Sequence, residues 1–153
     1  MAAQLAPAEA DAMLERALGE LPSRDWRVLD LRHVGPKGLR ADFVAVGEPG
    51  VFVIAGARAN ERPRTRAKLA LGLLAAADAV AQLAQVRRDE VHPVLCVGED
   101  TAIDGFERGV VVCAPVNLLD TLTQRRDRLT REEMNAAAAA VRRSLRAGGK
   151  HRA

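Results

Sequence analysis

Few side chains in this 153-residue chain are placed to do chemistry. Asp42 is the first candidate. It heads the run Ala41-Asp42-Phe43-Val44-Ala45-Val46-Gly47-Glu48-Pro49-Gly50-Val51-Phe52-Val53-Ile54-Ala55-Gly56-Ala57-Arg58, which is two apolar stretches about a Pro-Gly turn. A carboxylate there can be a ligand for a divalent cation, or it can flank the strand and pair with a nearby arginine. Beyond the hairpin, Arg62, Arg64, Arg66 and Lys68 form an alternating basic run. Such a run contacts phosphate or solvates the start of a helix, and the spacing alone leaves both open. Cys96 and Cys113 each lie in an apolar, strand-like run and read as buried free thiols. The three histidines are far apart, so histidine and cysteine together lack the spacing of a zinc site. No Walker-type or dinucleotide-type glycine motif and no serine nucleophile elbow is present.

The elements that must position these residues follow from hydrophobic period and turn chemistry. Pro7 suits a first helical turn, and Ala10, Leu14, Ala17, Leu18 and Leu21 recur at helical spacing. Trp26 to Leu31 reads as a strand, and His33 to Arg40, with two glycines and a proline, as a loop or hairpin tip. Phe43 to Val46 and Val51 to Ile54 are apolar on both faces, as central strands covered by helices are. Glu48-Pro49-Gly50 predicts a type II turn, with proline second and glycine third. Arg58 to Lys68 reads as a polar connection. Leu69, Leu73, Ala76, Val80 and Leu83 then mark one face of a long helix. Val91 to Val97 and Gly109 to Cys113 are buried strands separated by an acidic loop, Gly98 to Arg108. Pro115 opens a short helix. Thr130 and Glu133 make a capping box for a last helix lined by Met134, Ala138, Val141 and Leu145. The order is helix, three strands, long helix, two strands, two helices. Three strands in a meander, followed by a helical crossover, give a three-layer α/β domain with a central mixed β-sheet flanked by helices. Residues 1–147 form this single domain, and 148–153 read as a flexible C-terminal tail.

Composition narrows the class further. A 48% hydrophobic fraction is enough for a core, and 3% aromatics make that core one of Ala, Val and Leu. The net charge of +3 and a pI near 9.4 permit contact with nucleic acid without requiring it, because acidic residues are interspersed. The N-terminal residues lack a signal-peptide pattern. The apolar stretch Leu69 to Val86 carries Asp78 and two glutamines and is a poor membrane span. The expectation is a cytoplasmic protein with no membrane partner, in which a disulfide is disfavoured.

Order and residues together resemble the NERD (nuclease-related) domain of the PD-(D/E)xK nuclease-like superfamily, over roughly residues 8–146. Trp26-Arg27-Val28-Leu29-Asp30-Leu31 is similar to its first strand. Arg40-Ala41-Asp42-Phe43-Val44-Ala45-Val46-Gly47 resembles the strand that bears the family's aspartate. Gly50-Val51-Phe52-Val53-Ile54 resembles the strand that continues into Glu-x-Lys. Val91-His92-Pro93-Val94-Leu95-Cys96-Val97 and Val110-Val111-Val112 are similar to later core strands. The resemblance implies a restriction-endonuclease-like fold.

It also implies where the chemistry belongs. Such enzymes hold Mg²⁺ on closely placed carboxylates, which polarises the phosphate and activates water, while the lysine stabilises charge. Glu9 and Asp42 fall on two of the acidic places, so they are the metal ligands if any metal binds. Ala55 and Ala57 stand where the Glu and Lys belong. Arg58 follows the Lys place and should point to the opposite face of its strand. Glu61, in the next loop, is the one acid that could swing in. The implied protein is a degenerate nuclease-related domain with no cofactor (Mg²⁺ only with residual cleavage). It would bind DNA or RNA, or a nucleic-acid-processing partner, through Arg58, Arg62, Arg64, Arg66 and Lys68. The competing expectation is a protein-interaction module or homodimer. The resemblance further implies that Asp42, Ala55 and Ala57 share one concave region faced by Glu9.

Overall fold

A computed structural model describes residues 4–32 and 39–150, with side chains through residue 146. The chain runs α1 (Pro7–Gly19), β1 (Trp26–Asp30), β2 (Phe43–Gly47), β3 (Gly50–Arg58), α2 (Pro63–Ala84), β4 (Val91–Gly98), β5 (Gly105–Glu107), β6 (Val110–Cys113), α3 (Leu118–Thr123) and α4 (Arg131–Lys150). The expected order holds, with β5 added inside the acidic loop. Residues 33–38 of the expected loop and 151–153 of the expected tail lie outside the described residues. The helix α4 continues to Lys150, into the stretch read as tail.

One six-stranded sheet, ordered β1-β2-β3-β4-β6-β5, forms the middle layer. The strands β1, β2 and β3 are an antiparallel meander. The crossover α2 brings β4 parallel to β3, and β6 lies parallel to β4. Side chains alternate across β3, so its two faces feed two separate cores. Phe52 and Ile54 pack with Leu14 and Leu18 of α1 and with Leu118 and Leu122 of α3. Val51, Val53 and Ala55 pack with Leu73, Ala77 and Val80 of α2 and Met134 and Val141 of α4. Helices therefore cover both faces, and the fold is a three-layer α/β arrangement with a mixed sheet. Among the described helices, α2 is the one long and apolar enough to span a membrane. Its apolar face is that of a core helix, with Ala70, Leu73, Ala76, Ala77, Val80, Ala81 and Ala84 buried on the sheet.

Two sequence expectations shift by a few residues, each for a local reason. In the β2–β3 hairpin Gly47 pairs with Gly50, so Glu48 and Pro49 are the two turn residues and Gly50 is the first residue of β3. The glycine is still required. Its φ is +143°, and a Cβ there would lie 2.8 Å from the Glu90 carbonyl oxygen. Opposite it, Trp26 lays its ring over Gly47, where a Cβ would meet the ring at 2.7 Å. The strand β5 carries little apolar signal, because it is a three-residue edge strand. Its trace in the sequence is the turn Arg108-Gly109, whose two positive φ values, 52° and 84°, close a tight hairpin onto β6. The capping box forms as expected, with Thr130 N–H donating to Glu133 Oε1 at 2.9 Å and Glu133 N–H to Thr130 Oγ1 at 3.1 Å.

At the start of β4, His92 stacks against Phe52 with ring centroids 5.1 Å apart. Burial pushes its pKa down to about 4, and Arg125, Arg128 and Arg88 push the same way against an opposing Asp89. The unfolded chain takes up a proton near pH 6.5, whereas the native imidazole resists it until about pH 4. Stability from this residue is therefore present above about pH 6.5 and is lost as pH falls toward 4. Urea unfolding at a series of pH values should show that loss in the wild type and a flatter curve in His92→Gln. Parallel curves would show that His92 is not the group responsible.

Candidate functional site

The strand β3 is the element on which the site depends. Its second half, Ala55-Gly56-Ala57-Arg58, has weak β propensity. It stays extended because it pairs in parallel with Leu95 to Gly98 of β4. The β2 partner series ends earlier, at Phe43 opposite Ile54. Asp42 continues the ladder by other means. Its N–H donates to the Ile54 carbonyl at 2.8 Å, and its Oδ2 accepts the Gly56 N–H at 2.8 Å. Asp42 thus takes the place of a missing strand neighbour, which is the strand-flanking role, here with a backbone amide rather than an arginine as partner.

The alternation of β3 corrects the expected constellation. Ala55 is buried in the apolar cluster under α2 and α4, and Ala57 packs against the same cluster. Gly56, between them, faces α1, where a Cβ would sit 3.7 Å from Leu14 Cδ2. The sheet therefore lies between the Ala55 and Ala57 side chains and α1, the helix that carries Glu9. Glu9 itself is exposed. Of Glu9, Asp42, Ala55 and Ala57, Ala57 alone borders the concave region at this strand end. A carboxylate at the Ala55 place would be buried among apolar side chains, at a cost of several kcal/mol without a partner.

A cavity of about 250 Å³ does lie beside this strand end, on the α1 side. Leu14, Gly56 and Cys96 line it, and Asp11, Arg58 and Glu61 bring charge to its wall. Ala57 and Arg58, adjacent at the end of the strand, both border it. Glu61 does reach this wall, and Asp11, which the sequence does not single out, joins it. Neither Asp42 nor Glu9 borders the cavity. Among the described residues no three His, Cys, Asp or Glu side chains converge as metal ligands. Asp42 has one carboxylate oxygen held by the Gly56 N–H, and Glu9 is exposed on α1.

The basic run is placed differently from a polar loop. The strand β3 extends to Arg58 and α2 begins at Pro63, with Arg62 as its N-cap. Proline at N1 and the helix-forming arginines and lysine start the helix two turns before its apolar period becomes visible. Alternate residues share a face on a strand but diverge on a helix. Arg64 and Lys68, four apart, stay on one exposed face. Arg66 turns inward, with its Nε 3.9 Å from Glu107 Oε2 on β5 and buried without a hydrogen bond. Arg58, Arg62, Arg64 and Lys68 are exposed, and among the described residues none of them makes an ion pair. The first turn of α2 has no acidic residue, so the positive end of its dipole adds to their field.

Asp42 should therefore behave as a structural residue. Asp42→Ala leaves the Gly56 N–H without its acceptor and should cost about 1–3 kcal/mol in urea unfolding. Asp42→Asn keeps an acceptor oxygen and should cost less. Equal stability of wild type and Asp42→Ala would show that this hydrogen bond does not hold the end of β3. Compared with known proteins, the chain matches no family model, no curated protein and no solved structure.

Proposed function

We propose that this chain is a catalytically inactive nuclease-related domain that binds nucleic acid without cleaving it. The observation that carries the reading is the group of Arg58, Arg62, Arg64 and Lys68, exposed and free of carboxylate partners among the described residues, at the end of β3 and the start of α2. Phosphates along a DNA or RNA backbone fit such a group, because each one neutralised releases condensed counterions. The NERD resemblance gives this strand end as the cleavage site, and here alanines fill the Glu and Lys places. Binding would thus persist where the means of metal-assisted hydrolysis is missing.

A second reading, a protein-interaction module or homodimer, is favoured by a different observation. Phe106 on the edge strand β5 is 75% exposed, and Val116 is 58% exposed. Large exposed apolar groups, one of them on an open strand edge, suit a protein partner.

A salt titration of affinity for duplex and single-stranded DNA tests the first reading. Affinity should fall steeply with salt. Replacing Arg58, Arg62, Arg64 and Lys68 by serine should weaken binding to all sequences. The duplex salt slope should flatten by roughly 0.9 for each phosphate that is no longer neutralised. The fold should survive, since exposed charges contribute little to stability. An unchanged affinity and slope would transfer the proposal to the second reading, for which a stable dimer in sedimentation is the positive sign. Plasmid incubated with Mg²⁺ or Mn²⁺ should stay intact. Metal-dependent cleavage that Asp42→Ala abolishes would mean an active nuclease instead.

A further inference from the structure

The strand β5 ends the sheet beyond β6, and it carries the most exposed large apolar side chain among the described residues, Phe106. The turn next to it decides what this edge presents. The β5–β6 connection is two residues, Arg108 and Gly109, with φ values of 52° and 84°. Positive φ at both central positions marks a type I′ turn, whose flanking residues, Glu107 and Val110, form a hydrogen-bonded pair. Bonded and non-bonded pairs alternate along an antiparallel ladder, so the next pair, Phe106 and Val111, is non-bonded. The Phe106 N–H and C=O therefore point outward from the sheet. Side-chain directions follow from the same strand. Glu107 turns to the α2 side, where its Oε2 lies 3.9 Å from Arg66 Nε. Phe106 thus stands on the other face, with Val111, which packs on the cluster under α1 and α3. The segment ahead of β5 is pinned in place. The Asn117 side-chain amide donates to the Ile103 carbonyl at 2.8 Å, and its Oδ1 accepts the Ala114 N–H at 2.9 Å. Charge flanks the strand evenly. Asp104 and Arg108, each two residues from Phe106, are exposed, and neither makes an ion pair among the described residues.

We propose that this edge is a homodimer interface, in which the β5 strands of two chains pair antiparallel about a two-fold axis at Phe106 and join two sheets into one. The proposal rests on the protein-interaction reading and names its partner, a second copy of this chain. The outward backbone groups of Phe106 set the register. Phe106 and the partner subunit's Phe106 form the bonded pair, each N–H donating to the other's carbonyl. Asp104 then lies opposite the partner subunit's Arg108, and Gly105 opposite the partner subunit's Glu107, each pair occurring twice. Opposite charges meet, and Glu107, already beside Arg66, meets a residue without a side chain. Centring on Glu107 would instead set like charges face to face, and the Glu107 backbone groups are already paired with Val110. The two Phe106 rings meet on one face and leave water together. A two-fold interface must complement itself. Asp104-Gly105-Phe106-Glu107-Arg108, acid first and base last about a central aromatic, does so, and a foreign peptide has no need of that symmetry. Pairing over so short a strand buries little area, so the dimer is weak and forms as concentration rises.

Sedimentation velocity on the full chain at low salt, from micromolar to millimolar concentration, is the test. The wild type should show a monomer–dimer equilibrium, and Phe106→Ser should remove it. Asp104→Arg alone and Arg108→Asp alone should each weaken the dimer about tenfold, because each sets like charges opposite one another at both ends of the pairing. The two changes together should restore it, since the charges are then reversed but opposite again. The effect of the single changes should shrink as salt rises. Urea unfolding checks that each variant keeps the fold, and a measurement without variants stands beside it. The Phe106 amide of the wild type, followed by NMR, should exchange its hydrogen more slowly as concentration rises. A dimer that survives Phe106→Ser and both single charge changes would overturn this edge and leave a homodimer through another face. A chain monomeric at every concentration would overturn the homodimer reading as well. A double charge variant no tighter than the single ones, or a Phe106 amide whose exchange ignores concentration, would overturn the proposed pairing.

Discussion

The rest of the molecule depends on the burial of β3 on both faces and its pairing on both edges. Val51 to Ile54 have no exposed surface, and their side chains divide strictly between the two helix layers. A strand in that position has no freedom of register, since a one-residue slip would exchange its two side-chain sets between two differently shaped cores. Every site residue on β3 inherits its direction from this constraint. Ala55 and Ala57 go to the α2 and α4 side, and Gly56 and Arg58 to the α1 side.

That division explains why small residues crowd the end of the strand. Gly56 lets Leu14 of α1 approach the sheet, and Gly98, opposite on β4, lets Ala10 come closer still, where a Cβ would lie 2.9 Å from it. Close seating of α1 leaves a small cavity rather than an open groove. Ala55 adds to the apolar seal on the other face. Asp42 then completes the edge of β3 where β2 has run out. Asp42 fits this half-buried place because it accepts the Gly56 N–H, an amide that would otherwise lack an acceptor.

Charge differs between the two ends of this apolar frame. At one end of the sheet the exposed arginines and lysine before and within the first turns of α2 stand without acidic partners among the described residues. At the other end His92 is held neutral by burial and by three arginines, and ion pairs link the elements there. Arg131 reaches both Asp25 and Glu48, and Arg88 reaches Asp78. Exposed pairs of this kind contribute little individually. Their pattern matters more for the field, since neutralised arginines add nothing to phosphate attraction and unpaired ones do.

The sequence by itself determined the layer architecture. Hydrophobic period 3.6 in α1, α2 and α4, apolar runs without period in β2, β3 and β4, and the Thr130–Glu133 capping box are local signals, and local signals survive in one dimension. It also determined that positions 55 and 57 are alanines, which cannot bind a metal or a phosphate through their side chains. Only the tertiary structure decided what those places face. The side on which a β3 residue lies depends on which helices the crossover and α4 bring to each face, and no local pattern encodes that. The same holds for the start of α2. Arg64, Arg66 and Lys68 look alike in sequence, but helical geometry and Glu107 on a short edge strand divide Arg66 from the others. The nearness of Cys96 to Cys113 is likewise a property of strand order, because β4 and β6 become neighbours while β5 is displaced to the edge.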